Sequence, residues 1–144
     1  VDYVSHIDTA FIDKLGYTWR NGRLRVKLSK DVPEIASALL DKSVRKLLER
    51  NNLNVNDVRY WIVHQPGAAV LDRIRDSLSI PEEKLQYSRK ALRLYGNMSS
   101  ATVGIVAKLL MESEKDPRGY AVMANVGPGM TSNCVLLSFN GVCT

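Results

Sequence analysis

Two short runs limit the fold of this chain more than anything else in it. Residues 59 to 64 read RYWIVH, and residues 120 to 126 read YAVMANV. Both hold apolar residues at consecutive positions, where a strand with one wet face would alternate. Such strands need cover on both sides, so they point to a sheet sandwiched between helices. The segments between and before them carry helical periodicity instead. The inferred order is strand, helix, strand, helix, helix, strand, strand, which argues for α/β layers rather than a bundle or a sandwich.

The remaining elements follow from local chemistry. Arg23 to Leu28 alternates charged and apolar residues, the pattern of a half-buried strand. Asp31 is a good helix cap, Pro33 is tolerated in a first turn and Glu34 suits the dipole. Val32, Ile35, Leu39, Leu40, Val44, Leu47 and Leu48 then form a stripe of period 3.6, giving a helix to about Arg50 that Asn51-Asn52 closes. A second helix opens at Gln65-Pro66-Gly67 and turns Val70, Leu71, Ile74 and Leu78 inward. Pro81 begins a turn or short helix through Leu85. A third helix is expected from Met98 to about Met111, with Ala101, Ile105, Val106, Ala107 and Leu109 inward. Two final strands, YAVMANV and SNCVLLSF, are linked by Gly127-Pro128-Gly129-Met130, a span short enough for an antiparallel hairpin.

At 144 residues the chain is expected to be one domain, residues 1–144, able to bury about 68–70% of its unfolded surface. Its 45% apolar and 24% charged content is ordinary for a globular protein. No apolar run reaches the roughly 18 residues of a membrane span, and the start has no signal-peptide pattern. The net charge is +5, but Lys and Arg are interspersed with Asp and Glu and form no single basic stripe. Nucleic acid is therefore not the expected partner; a phosphate-bearing small ligand or a solvated surface explains the charge more cheaply. Cys134 and Cys143 are too few for a disulfide framework and too far apart for a CxxC motif, which fits a reducing, cytoplasmic setting. No Cys/His cluster suggests zinc.

Three places draw the eye for chemistry. His64 ends an apolar strand and precedes a helix start, the position from which side chains reach the crevice of an open α/β sheet. A histidine closing a strand with a hydrogen bond would look the same. His6 falls in an irregular start and carries no expected role. Asn97 follows Gly96 and precedes a helical pattern, where asparagine is a preferred N-cap worth about 1 kcal/mol. NVGPGMT, residues 125 to 131, puts two glycines around a proline, a loop whose backbone can approach a ligand closely. It lacks the lysine and spacing of a phosphate loop.

Taken together, WIVHQPGAAVLD, LYGNMSSA and NVGPGMT, in that order and with KDVP upstream, form a pattern. It resembles the C-terminal half of the type III polyketide synthases, the chalcone synthase-like enzymes, from about Gly16 to Phe139. Priming-type ketoacyl synthases share a His and an Asn in similar places, but KDVP, GNMSS and GPG favour the polyketide synthases.

The resemblance implies a thiolase-like layered fold, of which this chain is the C-terminal half only. It implies an acyltransferase that condenses malonyl-CoA onto a CoA-bound starter with a Cys-His-Asn triad. His64 matches the histidine and Asn97 the asparagine. The nucleophilic cysteine belongs to the other half, and neither Cys134 nor Cys143 matches it. Gly67 and Ala69 fall where the family's loop lines the pantetheine tunnel. Ser99, Val126, Gly127 and Pro128 fall at cavity-shaping positions. The gatekeeper phenylalanine of plant members falls near Val26, implying a wider pocket mouth. Gln65-Pro66-Gly67-Ala68 replaces the family's Pro-Gly-Gly-Pro, which fits a microbial enzyme. The implied partners are an N-terminal half carrying the cysteine, acyl-CoA and malonyl-CoA, with the full enzyme a homodimer and no cofactor beyond the CoA thioesters. Alone, the chain is expected to be inactive and to expose an apolar patch. A priming-type ketoacyl synthase half and a non-catalytic CoA- or acyl-binding subunit remain the alternatives.

Overall fold

The computed structural model describes residues 2–139. A four-stranded sheet organises the chain, in the order β1-β6-β5-β4, with β1 Asp2–Ile7, β4 Val58–Val63, β5 Gly119–Gly127 and β6 Thr131–Phe139. β4 runs parallel to β5; β5 and β6 form the expected antiparallel hairpin, and β1 pairs antiparallel with β6. A separate two-stranded ribbon holds β2 Leu15–Arg20 and β3 Arg23–Leu28, turning at Asn21-Gly22, both at positive φ. The described residues also form four α-helices, α1 Val32–Arg50, α2 Ala68–Leu78, α3 Gln86–Tyr95 and α4 Ala101–Ser113, and three short 3-10 turns.

The central strands are covered on both faces, as their unbroken apolar runs require. On one side, α1 and α2 bring Leu40, Val44, Leu47, Leu71 and Ile74 against Trp61, Val63, Val122 and Leu136. On the other, Tyr87, Ala91, Val106 and Leu110 of α3 and α4 pack on Tyr60, Ile62 and Ala121. Burying a side chain of this size contributes roughly 1.5–3 kcal/mol, so the pair of cores dominates the fold's stability. Glu114 ties the second layer together by accepting from Tyr87 Oη at 2.8 Å and Tyr60 Oη at 3.4 Å. Burial, then the Glu114 carboxylate, pushes the Tyr87 phenol up to about 12.

β4 is an edge strand, and an open edge leaves backbone groups to satisfy. Side chains four residues apart do so at its two ends. Lys84 Nζ donates to the Val58 carbonyl at 2.6 Å, and Ser88 Oγ bonds both polar groups of Val63. Beyond them, Arg89 pairs with Glu82 and Asp72, and Arg75 pairs with Glu82, lacing α2 to the turn before α3. Hydrogen bonds from Arg89 first and Arg75 second hold the Glu82 carboxyl down to about 2.

Several expectations need correction. The start is no irregular segment: Asp2–Ile7 is a strand, and His6 lies opposite Ser132 in its ladder. Between the short turn ending at Leu85 and the helix expected from Met98, where no element was expected, the chain forms a full helix, α3. Asp31 stands before α1 but makes no capping bond there; its carboxylate accepts from Lys14 Nζ at 2.6 Å. The helix expected from Met98 begins at Ala101, because Gly96 and Ser99 both take positive φ and the chain must turn before it can coil. Its buried stripe is Thr102, Val106, Leu109 and Leu110, leaving Ala101 exposed and Ile105 half-buried. β3 is not half-buried: all six of its residues are exposed.

Candidate active site

His64 follows the last residue of β4, and its backbone N–H still pairs with the Ala124 carbonyl of β5 at 2.9 Å. The parallel strand thus runs the imidazole out at its C-terminal end, where open α/β sheets bind ligands. Gln65-Pro66-Gly67 then turns the chain into α2, with Gly67 extended at the cap position.

The imidazole enters a cavity of about 260 Å³. Walls come from Leu15 and Leu28 of the ribbon, Val32, Pro33 and Ala36 of α1, Pro66 and Gly67 of the turn, Ala68, Ala69, Val70 and Ile74 of α2, and Val126 of β5. Among the described residues lining it, His64 is the sole polar side chain. His64 is 8% exposed, its Nδ1 has no hydrogen-bond partner, and burial lowers its pKa below the ordinary 6.5. A neutral imidazole in an apolar chamber can offer one N–H to an oxygen that gains charge, and low polarity makes that bond count for more.

The other expected site residues divide into two groups. Gly67, Ala69 and Val126 line the His64 cavity. Asn97, Ser99, Gly127 and Pro128 do not. Asn97 is exposed, and its Oδ1 accepts from the Ser99 N–H at 2.8 Å, a local turn two residues long. It is not the N-cap of α4; Ser100 holds that position without a side-chain cap bond. Pro128 and Gly129 form the β5–β6 turn, and the Gly129 N–H donates to the Leu15 carbonyl at 3.0 Å, fastening the GPG loop to the ribbon. Cys134 lies in the core on β6, and burial pushes its thiol up to about 12, so it is poorly suited to act as a nucleophile. Cys143 lies outside the described residues.

Sequence reasoning missed most of the cavity wall. Leu15 and the α1 residues Val32, Pro33 and Ala36 are far from His64 in the chain. The signals for Val32 and Leu28 were present, as a helical stripe and a strand alternation, but nothing local said that they face the histidine.

The family model for the C-terminal domain of chalcone and stilbene synthases matches residues 12–140. This chain belongs to the type III polyketide synthases. It is 30% identical over 128 residues to a Bacillus subtilis (strain 168) protein named "Putative chalcone synthase", covering 88% of this chain and 35% of that one. The bacterial type III polyketide synthase 1,3,6,8-tetrahydroxynaphthalene synthase of Streptomyces coelicolor A3(2) superposes with a TM-score of 0.88 at 23% identity. That match covers 98% of this chain and 40% of the synthase. CsyB, solved with CoA-SH, superposes with a TM-score of 0.87 at 19% identity, over 96% of this chain and 40% of its own. At these identities the two structures speak for the fold alone, and the fold is the thiolase-like layering of the synthases' C-terminal half. The type III polyketide synthase chain here spans about two-fifths of its solved relatives and about a third of the Bacillus protein.

Proposed function

We propose that this chain supplies the histidine and asparagine of a Cys-His-Asn acyltransferase site, working with an upstream half that carries the cysteine. The observation that carries the reading is the His64 imidazole, buried at a strand end as the sole polar side chain among the described residues that line an apolar cavity. The cysteine thiolate attacks the carbonyl of a starter acyl-CoA and expels CoA, leaving a thioester on the enzyme. Malonyl-CoA loses CO2, and the resulting enolate holds its charge on the thioester oxygen. His64 and the Asn97 carboxamide donate to that oxygen, which lowers the barrier because both donors are fixed before the charge develops. The enolate carbon attacks the enzyme-bound acyl carbonyl and expels the cysteine thiolate. The product is a 3-ketoacyl-CoA two carbons longer.

The ribbon supports the need for a partner half. Tyr17, Trp19, Leu24, Val26 and Leu28 share one face of it and are 56–73% exposed. An apolar face of that size in water marks an interaction site. The upstream half is the occupant we assign to it, and the assembled enzyme is a homodimer in this account.

The test is malonyl-CoA turnover with a cysteine-bearing half added to this chain. Turnover is expected from the pair and not from the chain alone. His64→Ala and Asn97→Ala are each expected to lower it by about 10²–10³, the usual effect of losing one oxyanion donor. Undiminished turnover in both variants would falsify the assignment.

A second reading, a CoA- or acyl-binding subunit without catalysis, draws on one observation: Asn97 stands outside the wall of the His64 cavity. Isothermal titration separates the two. Binding of CoA thioesters by the pair with no turnover supports the binding subunit.

A further inference from the structure

The His64 ring lacks what usually aims a catalytic imidazole. Its Nδ1 has no hydrogen-bond partner, and no other titratable side chain lines the cavity among the described residues. Orientation of the ring then depends on the direction of its Cα–Cβ bond, and so on the backbone of residues 63 and 64. That backbone is held from two sides. His64 N–H pairs inward with β5. The Val63 backbone N–H and carbonyl point to the other side of β4, where no strand among the described residues pairs with it. There the Val63 N–H donates to Ser88 Oγ at 3.2 Å, and the Ser88 O–H donates to the Val63 carbonyl at 3.0 Å. Ser88 is fully buried on α3. One hydroxyl thus stands in for a missing strand at the residue before the histidine.

We propose that Ser88 is a positioning residue for His64, fixing the imidazole by clamping both backbone polar groups of Val63. The inference rests on the reading of His64 as an oxyanion donor. A merely structural Ser88 would contribute to folding and leave the histidine's behaviour alone, so the two roles separate in experiment. Ser88→Ala removes both bonds; Ser88→Thr keeps the hydroxyl. An imidazole misplaced by about 1 Å can cost up to 10² in rate.

The experiment has two arms. In the first, the imidazole signals of this chain alone are titrated by NMR. Only His6 and His64 contribute, and His6→Gln assigns them. Ser88→Ala is expected to move the His64 midpoint upward toward 6.5 as water reaches the loosened strand end, and Ser88→Thr to restore it. In the second, turnover is measured with the cysteine-bearing half present. Ser88→Ala is expected to lower kcat by about 10- to 100-fold with KM unchanged, and Ser88→Thr to recover it. If Ser88→Ala does not fold, Ser88→Cys takes its place, with a weaker donor of similar size. A His64 midpoint unmoved by the alanine variant overturns the proposal, and so does a kcat equal to that of the parent. Should the parent pair itself show no turnover, the enzyme reading fails, while the NMR arm still decides whether Ser88 positions the ring.

Discussion

The two tryptophans of this chain sit in two sheets that follow opposite rules. Trp61 on β4 is fully buried between helical layers, while Trp19 on the ribbon is 73% exposed. Both lie on strands with apolar neighbours across the ladder: Trp61 is opposite Val122, and Trp19 is opposite Leu24. The first sheet finds its cover within the chain. The ribbon does not, although it carries as consistent an apolar face. Five large apolar residues, Tyr17, Trp19, Leu24, Val26 and Leu28, lie exposed on that one face, and in the proposed account the upstream half covers them. The core is covered within the chain and the ribbon's apolar face is not.

Trp61→Ala and Trp19→Ala are the sharpest way to break that contrast. In the chain alone, Trp61→Ala is expected to cost about 3–5 kcal/mol by denaturant unfolding, the usual result of emptying a core of a large aromatic. Trp19→Ala is expected to stay within about 0.5 kcal/mol, as surface changes do. The ranking should reverse for association with the upstream half, where Trp19→Ala weakens binding by 2 kcal/mol or more if it anchors the interface. A large loss of stability from Trp19→Ala in the chain alone would mean that the ribbon packs on its own.

The contrast repeats within the site, between a buried histidine and an exposed asparagine. Burial lowers the His64 pKa, so the folded chain binds fewer protons than the unfolded chain below 6.5. Stability is therefore full above that pH and falls as pH drops through the window between 6.5 and the depressed folded value. Denaturant midpoints at pH 7.5 and 5.5 are expected to differ less in His64→Gln than in the parent. Asn97→Ala has a smaller effect on folding. An N-cap would cost about 1 kcal/mol. With Ser100 at the cap position and only the Ser99 turn at stake, the expected loss is within about 0.5 kcal/mol. A greater loss would return Asn97 to a structural role.

What the sequence made legible follows the same division. β4, β5, β6, α1 and α2 declare themselves through strong apolar patterns, and their cores form within the chain. β1 does not: Asp2-Tyr3-Val4-Ser5-His6-Ile7 buries only Val4, and its pairing comes from β6, well over a hundred residues away. α3 hid because just Tyr87, Ser88 and Ala91 of its ten residues are buried. β3 was placed correctly but judged half-buried, since alternation reports that a face is apolar and not whether this chain covers it. His64 and Asn97 were both legible as residues. The chamber around His64 was not, because its walls meet through tertiary packing of α1 and the ribbon.

The central claim is that the His64 imidazole and the Asn97 carboxamide serve one thioester oxygen. Their NMR signals, followed as malonyl-CoA is added to this chain with its cysteine-bearing half, test it directly. Both signals are expected to shift together, at the same ligand concentration. A shift at His64 with none at Asn97 would contradict the account.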